Sequence, residues 1–150
     1  SSRLAHFSKQ IEERLPDTCG LPSAPLHGAF RLSQLLVADG KLVLLDFDGL
    51  FSGNPVSDVG SLCAHFLYQT VKRKLTPEQA REGIVGFCES YRQASPWGLP
   101  MPALRWFTAA EIVAKHAKKV VKRGKKQSEQ KIDELLTLAD SVFLGKEPLG

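Results

Sequence analysis

Two short apolar runs, Leu35 to Val37 and Leu42 to Leu45, flank the dipeptide Asp39-Gly40. Asp-Gly favours the positive φ angles of a two-residue turn, so the chain is expected to double back here as an antiparallel hairpin. A hairpin fixes what lies beside what. It sets Gln34, at the start of one strand, close to Asp46, at the end of the other. His27, Arg31 and Asp48 then belong to the loops at that same end. Polar groups gathered at one end of a mostly apolar hairpin make a candidate site; the plain alternative is a surface loop of ordinary polarity.

The rest of the chain reads as helices around this hairpin. Leu4, Phe7, Ile11 and Leu15 step by three or four residues, as one face of an amphipathic helix does, and Pro16 stops it. Asp17 to Pro25 is an irregular connector, and Asp46 to Ser57, with Gly49, Gly53 and Pro55, a turning loop. Ser57 or Asp58 caps a helix whose apolar face is Val59, Leu62, Cys63, Phe66, Leu67 and Val71. Thr76-Pro77-Glu78-Gln79 combines a capping box with proline at the first helical position, opening a helix that buries Ala80, Ile84, Phe87, Cys88 and Tyr91. A stiff connector containing Pro96, Gly98, Pro100 and Pro102 leads to a longer helix from about Ala103 to Arg123. Its face is Trp106, Ala110, Val113, Ala117 and Val120, and Gly124 ends it. Ser128 caps the last helix, with the stripe Ile132, Leu135, Leu136, Ala139, Val142 and Phe143, closed by Gly145. The expected fold class is a mainly helical α+β lobe, one β-hairpin with about five helices.

A chain of 150 residues is one domain's worth, enough to bury roughly 68–70% of its unfolded surface. No apolar run approaches the ~20 residues of a membrane span, and no signal peptide opens the chain, so no membrane partner is expected. Cys19, Cys63 and Cys88 are odd in number and far apart in sequence. They argue against a disulfide framework or a zinc knuckle and for a reducing, cytoplasmic compartment. The chain opens Ser-Ser-Arg, the expectation for a piece of something longer.

Two motif readings compete for Leu42 to Gly49. A strand ending in Asp46-x-Asp48 resembles the first motif of the haloacid dehalogenase-type phosphatases. That chemistry needs a later lysine and a paired acidic motif for magnesium. The doublet Asp133-Glu134 lies inside a capped amphipathic helix instead, and the alternation of strands and helices is missing.

The second reading uses the whole stretch: His27-Gly28, the amide Gln34, the Asp-Gly hairpin, Asp46-Phe47-Asp48, then Gly53-Asn54-Pro55 and Asp58. This order resembles the aminoglycoside phosphotransferase and choline kinase-like family, a branch of the protein-kinase-like fold. Its catalytic loop reads HGDxxxxN, its metal-binding aspartate opens a DF or DFD segment, and GDPxxD follows. The resemblance implies a C-terminal lobe spanning 1–150: a leading helix and connector (1–25), the catalytic-loop and metal-loop hairpin (26–58), and a helical subdomain (59–150). It also implies magnesium-dependent transfer of the γ-phosphoryl of ATP to a hydroxyl-bearing small molecule. In that frame Asp46 and Gln34 are the metal ligands. His27 and Asp58 hold the catalytic loop to the following helix. Asp48 faces the metal or caps a turn, and with Arg31 stands behind the ligands.

The departures weigh as much as the matches. Ala29 stands where the family carries the aspartate that accepts or orients the proton of the attacking hydroxyl, and a methyl group does neither. Losing a general base typically costs a factor of 10²–10⁴, roughly 3–5 kcal/mol of barrier. Gln34 replaces the usual asparagine but keeps its amide oxygen; Asn54 replaces an aspartate taken as structural. Only 26 residues precede His27, so the N-terminal nucleotide-binding lobe, with its glycine-rich loop and strand lysine, is expected to be absent. The expectation is therefore an inactive or severely impaired module, in which ATP and magnesium binding by this chain alone is in doubt. The alternatives are an active kinase whose other lobe, or another protein partner, is supplied elsewhere, and a basic helical module for anionic partners.

Lys115, Lys118, Lys119, Lys122, Arg123, Lys125 and Lys126, with His116 among them, form a basic run at a helix end, where cations meet the dipole. A solvated helix end is the expectation, and the lack of interleaved aromatics speaks against nucleic acid. His6, His65 and His116 have no metal-ligand spacing. The mixed, slightly basic helices after Asp58 make a cationic aminoglycoside a poor substrate.

Overall fold

The computed structural model describes residues 2–15, 20–122, 128–146 and 149. The expectations placed on Pro16, Cys19, Arg123, Gly124, Lys125 and Lys126 lie outside those residues. The elements are α1 (Ser2–Glu13), β1 (Ala24–Leu26), β2 (Leu35–Ala38), β3 (Lys41–Leu44), β4 (Phe51–Gly53), α2 (Val56–Val71), α3 (Pro77–Ala94), α4 (Met101–Glu111), a π-helical segment (Ile112–Ala117), α5 (Lys118–Lys122) and α6 (Ser128–Phe143). The fold class is the expected mainly helical α+β.

The hairpin forms around its turn. Asp39 and Gly40 take φ values of 51° and 70°, and β2 pairs antiparallel with β3 in the register Leu35–Leu44, Leu36–Val43, Val37–Leu42, Ala38–Lys41. A second two-stranded ribbon, not anticipated, joins the connector to the turning loop: β1 pairs antiparallel with β4, Ala24 opposite Gly53 and Leu26 opposite Phe51. Each strand is three residues long, too short for its alternation to register as a pattern. Ala24 and Leu26 point inward while Pro25 between them is exposed.

α2 is the central helix, buried at Val56, Val59, Leu62, Cys63, Ala64, Leu67 and Val71 and packed against α3, α4 and α6. It approaches α4 closely at Gly60, where a Cβ would lie 2.6 Å from that of Phe107. Its start differs from expectation. Neither Ser57 nor Asp58 caps it; Asn54 lends its side-chain oxygen to the Val56 N–H at 3.0 Å and its carbonyl to the Ser57 N–H at 3.0 Å. α3 opens with the capping box, Thr76 accepting from the Gln79 N–H at 3.1 Å and Gln79 accepting from the Thr76 N–H at 2.9 Å.

Three further expectations are corrected. Leu15 lies beyond the end of α1 and is 50% exposed, so α1 docks through Phe7, with Leu4 and Ile11 beside it. α4 begins at Met101, because Pro102 is tolerated in a first turn, where no N–H is needed. The long helix is also not uniformly α: a π turn at Ile112–Ala117 shifts the phase, so the buried residues are Ala103, Leu104, Thr108, Ala109, Ile112, Val113, His116, Ala117 and Val120 rather than a stripe through Trp106 and Ala110. α6 buries Leu135, Leu136, Ala139 and Val142. Its end is closed by Gly145 at φ 70°, with the N–H groups of Gly145 and Lys146 bonded to the carbonyls of Val142 and Ser141. Cys63 and Cys88, distant in sequence, meet in the core as free thiols 3.8 Å apart.

Candidate functional site

The loop between β1 and β2 is held from two sides. The Asp58 carboxylate, in the first turn of α2, accepts the backbone N–H groups of His27 at 2.6 Å and Gly28 at 3.0 Å. The buried His27 ring donates from Nε2 to the Leu45 carbonyl at 2.7 Å, while Nδ1 accepts the Ala29 N–H at 3.4 Å. The first of these ties the loop to the end of β3, one residue before Asp46. Gly28 is required by this geometry. Its φ is +81°, and a Cβ would lie 2.4 Å from the Gly49 carbonyl oxygen, inside the van der Waals wall.

With the loop fixed, a 3-10 turn at Leu32–Gln34 delivers Gln34 to the base of the hairpin. The Leu45 N–H donates to the Gln34 carbonyl at 2.8 Å, extending the ladder by one step. Beyond that step the Gln34 amide meets the Asp46 carboxylate, Nε2 to Oδ2 at 3.2 Å. Asp46 itself takes φ +62°, a left-handed conformation that a non-glycine residue holds at some energetic cost. The pair is solvent-facing. With the amide so turned its nitrogen donates; half a turn about the last side-chain bond presents oxygen instead.

Of the other residues singled out, Asp48 occupies the second position of a turn closed by the Leu50 N–H on the Phe47 carbonyl at 3.2 Å. Arg31 folds back on its own loop, Nε to the Ala29 carbonyl at 3.4 Å. Ala29 is half-buried at the heart of the loop and brings only a methyl group. His6 is exposed, whereas His65 and His116 are buried and face each other with ring centroids 6.5 Å apart.

Two contributors escaped the sequence reading. Lys115, eighty-seven positions from Gly28, reaches its carbonyl at 3.4 Å while paired with Glu111 at 2.5 Å. No local pattern could reveal that. Asn54 was read only as the stand-in for a structural aspartate; its capping role was legible in principle, since Asn-Pro before an apolar helix is a capping signal.

The Gln34–Asp46 pair suits a hard divalent cation. Magnesium keeps several waters and takes one or two protein oxygens beside substrate phosphates, so a carboxylate and an amide are sufficient protein donors. Among the described residues no cluster of three or more His, Cys, Asp or Glu offers a competing metal site.

A comparison with curated proteins and one with solved structures each returned no significant match. Among family models, that of the phosphotransferase enzyme family (APH) matches residues 2–97. The matched span runs from α1 through the Asp58 clamp and the Gln34–Asp46 pair to the end of α3. The chain, matched over well more than half of its length, belongs to the phosphotransferase enzyme family, in keeping with its likeness to the aminoglycoside phosphotransferases and choline kinases.

Proposed function

We propose that this chain is the C-terminal-lobe side of a magnesium-dependent phosphotransferase site in which phosphoryl transfer is abolished or severely impaired. The observation that carries the reading is Ala29. The loop around it is tied down by Asp58, Leu45 and Lys115, yet no carboxylate projects from position 29. Asp58 is no substitute, because its two oxygens are occupied by backbone N–H groups.

In this reading Asp46 and Gln34 hold magnesium, which would neutralise charge on the β- and γ-phosphates of ATP. His27 and Asp58 keep Gln34 in register with Asp46. The substrate is a small hydroxyl-bearing molecule whose proton has no protein acceptor at position 29. The free thiols Cys63 and Cys88 fit the reducing cytoplasm. Among the described residues, no helix is long and apolar enough to cross a membrane.

The test is magnesium-dependent ATP turnover by the chain and by its Ala29→Asp variant. A wild-type rate within the ordinary kinase range of about 1–100 s⁻¹ would sink the reading. Restoring the acid is expected to raise the rate roughly 10²–10⁴-fold where binding is intact.

A specific observation favours a second reading, an active site completed by another lobe or protein. Leu36, Val37, Leu42 and Val43 of the hairpin, with Phe47, Leu50 and Phe51 beside it, are all exposed. With Leu36 and Val43 on one face of the ribbon and Val37 and Leu42 on the other, the hairpin leaves apolar side chains in solvent that a covering lobe would bury. ATP turnover that appears only with such a partner present, and with Ala29 unchanged, would favour it.

A further inference from the structure

On the α4 side of the same loop lies a cavity of about 280 Å³ to which the phosphotransfer reading assigns no ligand. Five cations from four segments converge on it: Arg31 from the loop, Lys72 and Lys74 from just after α2, Lys115 from the π segment and Lys119 from α5. The carboxylate in its wall, Glu111, is already engaged by Lys115 at 2.5 Å. Ser33 and Ser61 add hydroxyl donors. The π turn has a consequence here, since it carries Lys115 and His116 to the cavity wall alongside Glu111 and Lys119.

We infer that this cavity is a binding site for the phosphate group of a small polyanion, a phosphomonoester or a diphosphate. Cationic and hydroxyl donors outnumber acceptors around this partly open cleft, the arrangement that phosphate oxygens satisfy. The cavity floor supports this. The His65 Nδ1 is buried and finds no hydrogen-bond partner, and the neighbouring His116 is buried beside it. Burial and the surrounding cations hold His65 down to about 4 and His116 to about 3, so both imidazoles are neutral at neutral pH and the positive charge around the cavity is that of the lysines and the arginine.

A nucleic-acid strand fits less well. Tyr68 has its ring stacked on His116 at 4.2 Å, with the Lys72 ammonium over it at 5.5 Å. Phe30 packs against Phe87 with centroids 5.8 Å apart. Both aromatic rings named here thus already pack against neighbours, which leaves less of either for a base to stack on. The inference is independent of phosphoryl transfer and holds whatever the Ala29→Asp experiment returns.

Calorimetric titration of the whole chain with sodium pyrophosphate, and in parallel with inorganic phosphate, tests it. One saturable site is expected, with backbone amide shifts confined to the neighbourhood of Ser33, Ser61 and His65. The double variant Lys72→Ala, Lys119→Ala should weaken pyrophosphate binding at least about tenfold. Lys9→Ala, on α1 and paired with Glu13, should leave it unchanged. Circular dichroism checks the fold of each variant, and Lys72→Gln alone serves if the double variant does not fold. No heat with either anion up to about 10 mM, corresponding to a standard free energy weaker than about −3 kcal/mol, overturns the inference. So does equal weakening by Lys9→Ala. Binding of a single-stranded oligonucleotide that tightens with length and is not displaced by pyrophosphate also overturns it, in favour of an open nucleic-acid face.

Discussion

Asp58 and His27 are joined across thirty-one positions by a 2.6 Å bond from the His27 N–H to the Asp58 carboxylate, whose other oxygen takes the Gly28 N–H at 3.0 Å. One side chain thus fixes the start of α2 to the loop that sets Gln34 against Asp46. Removing it leaves two part-buried N–H groups without their charged acceptor. Asp58→Ala is expected to destabilise the chain by about 2–4 kcal/mol in urea denaturation. Asp140→Ala, which removes an exposed pair with Arg3 at 3.3 Å, should cost no more than about 1 kcal/mol. Equal losses for the two would mean that the Asp58 clamp carries no special weight.

Glycine at 28 and glycine at 86 make a matched pair with opposite signs. Gly28 has φ +81° and the Gly49 carbonyl in the place of a Cβ; Gly86, in α3, has nothing within 4 Å of that place. Gly28→Ala should cost about 2 kcal/mol or more, since left-handed backbone and a steric clash act together. Gly86→Ala should stabilise by roughly 0.5–1 kcal/mol through helix propensity. Thermal melts of the two variants read both signs; stabilisation by Gly28→Ala would show that the loop is not held as described.

Features written in short, local code were legible from the residues alone. Asp39-Gly40 specifies the hairpin, Thr76 and Gln79 the start of α3, and Gly145 the end of α6, because each acts within four positions of itself. The Gln34–Asp46 contact followed from the hairpin register, one step removed from local. What stayed hidden depends on partners distant in sequence. Pro25 and Ser52 form a ribbon only because each supplies the other's edge. His65 and His116 gain meaning only when α2 and the π segment pack, and Lys115 only by reaching Gly28. The π turn was invisible as well, since an apolar pattern that changes phase by one residue still reads as a helix.

His65 and His116 make stability sensitive to acid. Burial foremost, then the Arg31 and Lys72 charges, lowers His65 from 6.5 to about 4; burial, then His65, Arg31, Lys115 and Lys119, lowers His116 to about 3. Folding therefore favours the neutral rings, and the unfolded chain binds more protons below pH 6.5. Stability from this source is complete above about pH 6.5 and is lost as pH falls towards 4 for His65 and 3 for His116. The melting temperature should be flat from pH 8 to 7 and fall between 6.5 and 5. His116→Phe keeps a ring for Tyr68 to stack on and should flatten that fall. An unchanged slope would assign the acid sensitivity to other groups.

The hairpin tip yields the last prediction. Val37 and Leu42 face each other across β2 and β3 and are 73% and 67% exposed. Their side chains contribute little to the chain's own core, so Val37→Lys with Leu42→Glu, an opposite-charge cross-strand pair, should change stability by no more than about 0.5 kcal/mol. The same pair of charges removes the apolar surface most open to association. Binding of an apolar dye, and self-association by light scattering, should both fall. Where another lobe or protein is what covers the hairpin, magnesium-dependent ATP turnover in its presence should fall as well, even though the isolated chain is as stable as before. A stability loss of 2 kcal/mol or more would instead mean that these strands are packed within the chain, and no surface would remain there for a partner to cover.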